Sequence, residues 1–566
     1  MPAKNKRKFP LVSRQRAQLD IPLTSLMWPD GNAHQMTGGA AWEGDLGLSD
    51  LVKVLALNAR YTPYVRQILT VLTTDVAVIR WRQAVLADFL ANPALVDTAI
   101  GLLKRLASLQ AGSPLLGKRQ RNLLLETADH LAELDSFVNV VEDLHATLTA
   151  AQLQSDALRE VQQNLADLVA DPNFKALQAD LPELREPLDR ITSLTVGINL
   201  DVELRPESAV LLSINDFKVG AGASWVLRVM GIGQGEEDEV GISHLHRVPE
   251  DLNQRSLSPL FQDLDRLLTQ IAQPIARALN QYARTGGAAL AYLEYELAFF
   301  AAAAQMILKS KAKGVGFCVP EVAEPSQRII QISGLGNMAL VLTQPERVVQ
   351  SDVAFNDSGR IAILTGPNSG GKTTYLRSVG LAQVMFQAGL HLPAKEARLS
   401  PVDTIYTHFP ALETRQEGRL AEEAARLRDV FQTATDQSLV LLNETFSSTS
   451  SGEAIYLAQD VLCGLRAIGV RAIFATHLIE LAEKIDTVES TVSGDSKLFS
   501  LVAGITVGDD GEGTPTYQII RGLPLGQSYA REIARRHGIS LEQILANRKP
   551  KELTTETQSK SEKTKR

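Results

Sequence analysis

Gly366, Gly371, Lys372 and Thr373 fall at G-x-x-x-x-G-K-[ST] spacing within Leu364-Thr-Gly-Pro-Asn-Ser-Gly-Gly-Lys-Thr-Thr374. The chemistry of that pattern is to cradle the phosphates of a nucleotide. Glycines bring backbone N–H groups close to an anion, and the positive end of the helix that follows adds to their field. Gly366, Pro367, Asn368, Ser369, Gly370, Gly371, Lys372, Thr373 and Thr374 are therefore the candidate nucleotide contacts. Lys372 would neutralise the β and γ oxygens. The Thr373 hydroxyl is a hard oxygen donor of the kind Mg²⁺ prefers. The apolar run Ile361 to Leu364 before the loop and the amphipathic run Tyr375 to Phe386 after it supply the strand and helix the motif requires.

Two further stretches end in groups able to act on a bound triphosphate. Ser438-Leu-Val-Leu-Leu-Asn-Glu444 reads as a buried strand ending in a polar pair. Many phosphate-loop ATPases carry an Asp and then a Glu at this point. Here Asn443 offers a metal-bound water an amide oxygen without negative charge, so Mg²⁺ affinity should fall. Glu444 is the candidate general base; a surface Asn-Glu turn is the alternative. Ala472-Ile-Phe-Ala-Thr-His477 ends likewise, and His477 is a candidate partner of the γ-phosphate or the attacking water, with a structural histidine as the alternative. The polar run Ser447 to Gly452 either reaches a neighbouring subunit's nucleotide or caps a helix beginning near Glu453.

These residues need a sheet to carry them. Apolar runs at Ile329 to Ile332, Ile361 to Leu364, Leu439 to Leu442 and Ala472 to Ala475 alternate with helical periods, the grammar of a parallel sheet covered by helices. Upstream, Leu46 to Asp171 has helical spacing, as in Leu131, Leu134, Val138 and Val141. Pro172, Pro182 and Pro187 then mark a connector. Runs at Ser208 to Val219 and Ser224 to Ile232, parted by Gly220-Ala-Gly-Ala223, predict a small hairpin. Helical period returns from Leu257 to Lys313, broken at Gly286-Gly287.

The chain has 566 residues, 45% of them hydrophobic, and a mean hydropathy of −0.03, the profile of a multidomain globular protein. No apolar run long enough to span a bilayer and no secretion signal are evident, so a cytoplasmic location without membrane contact is expected. The two cysteines, Cys318 and Cys463, suit small buried hydrophobes better than a disulfide or a metal site. A net charge of −8 argues against a chain coated with nucleic-acid-binding surface. The basic cluster Lys4, Lys6, Arg7, Lys8, Arg14 and Arg16 is either a phosphate-contacting arm or a solvated tail.

With these elements assembled, the C-terminal part resembles the ATPase domain of the MutS family of DNA mismatch repair proteins. The stretches that carry the likeness are Thr365 to Arg377, Pro393 to Arg398, Val402 to Thr407, Leu439 to Glu444, and Ala475 to His477 with Glu480 and Leu481. Gly526-Gln-Ser-Tyr529 and Ala534 resemble the family's closing segment, and Asp75 to Gln83 is similar to its core and lever helices.

The resemblance implies an α/β fold, in which a P-loop ATPase domain of ABC/MutS type follows a mostly α-helical core and lever domain with a small β insertion. The expected division is a partly disordered basic arm over 1–45, the helical domain over 46–324 with its β-rich insertion near 205–245, the ATPase domain over 325–548, and a disordered charged tail over 549–566. It further implies ATP and Mg²⁺ as cofactors, with Thr373 and Asn443 at the metal and Glu444, His477 and Lys372 catalytic. The working form would be a homodimer with composite nucleotide sites. Its levers would grip DNA mainly by the backbone, in mismatch repair or related DNA-structure processing. Hydrolysis should be slow because Asn443 stands where the family has Asp.

Two other departures are visible. The zone Glu417 to Glu423 lacks the serine of the family's signature segment, and Arg419 is a candidate to contact a partner's γ-phosphate instead. With helical core expected to begin near residue 46, a mismatch-reading domain is not expected before it. The Leu-Ser-Gly-Gly-Gln signature of transporter ATPases is absent. A remodelling factor for ribosomes or another RNA or protein assembly, and a nucleotide-sensing scaffold with weak hydrolysis, are the alternative readings.

Overall fold

The computed structural model describes residues 18–19, 24–30, 41–111, 123–200, 202, 206–216, 246–247, 258–279, 284–285, 287–367, 369–409, 419–447, 449–507, 513–523, 538 and 543–544. The chain is α/β and divides into two compact units that interleave in sequence. One holds residues 1–35, 55–64 and 81–308; the other holds 36–54, 65–80 and 309–566.

The second unit is built on a six-stranded sheet. In chain order its strands are β1 (Ile361–Thr365), β2 (Ile405–His408), β3 (Leu439–Asn443), β4 (Arg471–Thr476), β5 (Leu498–Val507) and β6 (Gly513–Arg521), arranged β2-β3-β4-β1-β5-β6. The first five run parallel and β6 closes the edge antiparallel to β5. Every residue of β1, β3 and β4 is buried, as befits parallel strands covered on both faces. The helices most closely tied to the site are α1 (Lys372–Gln387), α2 (Arg419–Thr433) and α3 (Ser451–Ile468). Val440, Leu442 and Phe474 form one core with Leu427 and Val430 of α2 and Leu462 and Leu465 of α3.

On the other side of the sheet, Gly380 of α1 fits under Leu46 and Leu441. A Cβ there would lie 2.5 Å from a Leu46 methyl, so a larger residue would push the two elements apart. Asp45, just before Leu46, accepts from the Thr407 hydroxyl (2.7 Å) and from Arg377 Nε through its carbonyl (2.8 Å).

The strand expected at Ile329 to Ile332 is present as Ile330–Leu335 but belongs to a separate four-stranded sheet, antiparallel to Ser351–Phe355 and Glu396–Leu399. Its burial is interrupted, with Gln331 and Ser333 facing outward, whereas the parallel strands are buried without a break. A short apolar run does not by itself tell these two environments apart.

The helical unit contains Pro93–Ala111, Leu123–Ala150, Asp156–Ala170, Pro172–Asp189 and Ser258–Leu279, with most of Val76–Ala91 and Gly287–Ala312. Phe89, Phe137, Phe174, Phe299 and Phe300 are fully buried at its centre. Residues 172–187 correct the sequence reading: they are helix, not connector. Asp171 caps the helix and Pro172 occupies its first turn, where no amide partner is needed. Pro182 and Pro187 lie inside it, and burial of Phe174, Leu177, Leu181 and Leu184 on one face outweighs the lost backbone bonds.

The hairpin is also shifted. Its strands are Ser193–Leu200 and Pro206–Asn215, with the two-residue strand His246–Arg247 added, while 224–232 lie outside the described residues. Within the segment expected to be a basic arm, Ser25, Leu26, Met27 and Trp28 are buried. The tail 549–566, the closing segment around Gly526 to Ala534 and the basic residues before Gln18 lie outside the described residues. Cys318 and Cys463 are unpaired and only half-buried, against the expectation of full burial. Among the described residues no single helix is long and apolar enough to cross a membrane.

Candidate functional site

Parallel strands bring their C-terminal ends to one edge of a sheet, and the site of this chain lies there. The chain leaves β1 at Thr365 and enters the loop at Gly366, whose φ of +144° and closeness to β5 both require glycine; a Cβ would stand 2.6 Å from the Ala503 Cβ. Gly371 (φ +92°) caps α1 without a side chain. The first-turn amides of that helix thus meet no capping side chain from it, the arrangement an anion needs. Asn368 lies outside the described residues.

Lys372 is buried. Its Nζ donates to the carbonyls of Gly366 (2.8 Å) and Pro367 (3.2 Å) and pairs with Glu444 Oε1 at 3.0 Å. Glu444 Oε2 lies 2.8 Å from His477 Nδ1. Thr373 Oγ1 donates to Asn443 Oδ1 at 3.3 Å. Residues read from three separate stretches of sequence therefore lie together: Lys372 and Thr373 from the loop, Asn443 and Glu444 from the end of β3, His477 from the end of β4.

Burial would raise the Glu444 pKa, but the hydrogen bond to His477 and the charge of Lys372 outweigh it and hold the carboxyl below its ordinary value. His477 moves the other way, raised by its bond to Glu444 against partial burial. Glu444 is thus a carboxylate at neutral pH, oriented from both sides. A cavity of about 290 Å³ opens over it, lined by Pro367, Ser369, Lys372, Thr373, Glu444 and Tyr517. A larger one of about 570 Å³ adjoins it, sharing Gly371, Thr374 and Tyr517 and floored by Leu335, Leu340 and Val348.

The polar run after Glu444 acts as a cap. Ser450 is the N-cap of α3 and accepts from Glu453 N, while Thr449 and Ser450 both donate to the Glu453 carboxylate. Arg419 opens α2, and its side chain lies outside the described residues.

The family described as MutS domain V matches residues 362–548, and the MutS2 N-terminal domain matches 74–311. The chain belongs to the MutS family. It is 30% identical over 289 residues to the DNA mismatch repair protein MutS of Chlorobium phaeobacteroides, covering 50% of this chain and 30% of that protein. It is 36% identical over 190 residues to the Endonuclease MutS2 of Thermus thermophilus, covering 33% and 24%. With the MutS protein of Trichormus variabilis the identity is 27% over 436 residues, covering 72% and 50%. The chain spans half or less of the length of these curated relatives.

In this MutS-family chain three site-adjacent residues escape a reading of the sequence. Tyr517, in β6, adopts φ +60° and lines both cavities. His408, at the end of β2, sits 3.1 Å from the Thr445 hydroxyl through Nδ1. Glu423 of α2 accepts from the Phe446 amide at 2.9 Å. No motif marks them; each is brought in by a strand or helix distant in sequence. An acidic residue at helical spacing from the apolar Leu427 and Val430 is the one signal Glu423 offers.

Proposed function

We propose that this chain binds ATP with Mg²⁺ at Gly366 to Thr374 and hydrolyses it, as part of a MutS-family DNA-binding ATPase. The observation that carries this reading is the meeting of Lys372, Glu444 and His477 within 3.0 Å contacts at the mouth of the phosphate loop. The loop's amides and Lys372 would take the triphosphate, whose oxygens would replace the Gly366 and Pro367 carbonyls and Glu444 as partners of Nζ. Glu444, then released from Lys372 but still held by His477, would accept the proton of the attacking water. His477 keeps the carboxylate aimed at that water. The larger cavity, lined by Leu335, Leu340, Val348 and Tyr517 together with polar side chains such as Asn337 and Gln344, suits a purine base.

Thr373 and Asn443 present two neutral oxygens side by side, a donor set that fits a hard cation weakly. Magnesium held there would neutralise charge on the β and γ oxygens. Without a negative charge from residue 443 its binding would be loose and turnover slow.

Two copies would pair with each nucleotide between them, and ATP-driven closure would be passed to the helical unit, which grips DNA through phosphates. The domain division over 46–324 and 325–548, with a clamp-like β insertion, is part of the same proposal. The test is a mobility-shift series with duplex and branched DNA and with ribosomes, across rising salt and with or without ATP. Binding of DNA that weakens steeply with salt is expected. Binding to ribosomes alone would replace DNA by a ribosomal target.

A further inference from the structure

Three consecutive residues after β3 are each tied to a different element. Glu444 N donates to the Ala475 carbonyl of β4 (2.8 Å), the Thr445 hydroxyl bonds His408 of β2 (3.1 Å), and Phe446 N donates to Glu423 Oε2 of α2 (2.9 Å). The turn needs such anchors. Glu444 and Phe446 both adopt positive φ, +50° and +67°, a conformation that costs about 1–3 kcal/mol at a residue other than glycine and persists only when the surroundings enforce it.

Of the three anchors Glu423 reaches the turn from deep in the interior: its exposure is 3%, beside Thr445 at 2% and Phe446 at 3%. A carboxyl group is not buried without a bonding role to offset the loss of water, and the reach of this side chain supplies one. One partner it has here is the amide two residues beyond the candidate base. Glu423 is not among the residues that line the two cavities.

We infer that Glu423 is a positioning residue of the nucleotide site, whose carboxylate fixes the turn 444–446 and thereby the aim of Glu444. The inference rests on the reading of Glu444 as general base. A turn released from Glu423 leaves Lys372 and the phosphate loop intact, so nucleotide affinity is preserved while the chemical step slows. Misplacement of a reacting group by about 1 Å costs roughly a hundredfold in rate.

The test compares Glu423→Gln with Glu423→Asp, two variants that separate reach from charge. Gln keeps an oxygen at the same distance; Asp keeps the charge but withdraws it by one methylene. The rate kcat, the KM for ATP and the hydrogen exchange of the Phe446 amide are measured for each. Gln is expected to retain most of the wild-type kcat with Phe446 protected. Asp is expected to lose about ten- to a hundredfold in kcat, with KM changed less than about threefold and Phe446 exchanging faster. The opposite order, Asp near wild type and Gln impaired, would overturn the inference, as would a parallel loss of kcat and affinity in Asp. Wild-type protein that hydrolyses ATP while the variants show that reversed order removes Glu423 alone; wild-type protein that binds no ATP removes both readings.

Discussion

Glu444 and Glu296 are both carboxylates drawn out of water, one in each unit, and they end in opposite states. Glu444 stands at a strand end, between Lys372 and His477, and its pKa is lowered. Glu296 lies fully buried in the helix Gly287–Ala312, accepting from Ser25 Oγ (2.5 Å) and Leu26 N (2.6 Å), and burial drives its pKa up to about 7. Arg82, whose Nε donates to the Met27 carbonyl and whose guanidinium stacks 4.3 Å over Trp28, is near enough to offset part of this but not to reverse it. A cation in direct contact keeps an acid ionised and usable; neutral donors in a sealed interior keep it poised near neutrality and structural. Perturbation alone does not mark a catalytic group. What separates the two is access to a cavity, which Glu444 has.

The comparison breaks most readily at Glu444. Glu444→Gln keeps the shape and removes the proton acceptor, so hydrolysis should fall by about 10²- to 10⁴-fold while nucleotide still binds. Single-turnover hydrolysis measured beside equilibrium binding reads both. A variant that hydrolyses at the wild-type rate would return Glu444 to the structural class of Glu296.

Glu296 gives the next effect. Burial raises its folded-state value above the ordinary 4.5, so folding takes up a proton. Its contribution is then complete below pH 4.5 and is lost as pH rises through about 7. Denaturant titrations of the protein from pH 5 to 8 should show a loss on the order of 3 kcal/mol in the transition that reports the helical unit. Glu296→Gln, which mimics the protonated acid, should flatten that slope. An unchanged slope would mean Glu296 is ionised in the folded protein.

The smallest effect sharpens the nucleotide side. Asn443→Asp adds a negative charge beside Thr373, and should lower the Mg²⁺ midpoint for hydrolysis by about tenfold or less and raise the rate. If neither moves, residue 443 does not act through the metal.

How much of this was legible in the sequence follows distance along the chain. The loop Gly366 to Thr374 with its strand and helix is one contiguous stretch, and uninterrupted apolar runs mark β3 and β4, so Lys372, Glu444 and His477 could be read from local pattern. Glu423 and His408 could not, because their partners, Phe446 and Thr445, are fixed only when α2 and β2 pack. Local signals also misled. Proline at 182 and 187 argues for a break, yet the buried leucines on either side hold the helix. The glycines at 220 and 222 draw the hairpin too far along, when the alternation in Ser193 to Leu200 already supplies the partner strand.

The central claim is that a triphosphate docks where Gly366 to Thr374 meets the start of α1, with Lys372 as its main cation. Calorimetric titration of ATP and Mg²⁺ into the wild-type chain and into Lys372→Ala tests it most directly. Saturable binding by the wild type, weakened by about a hundredfold or more in the variant, is the result the account predicts. Absence of binding to the wild type, or equal affinity in the two proteins, would contradict it.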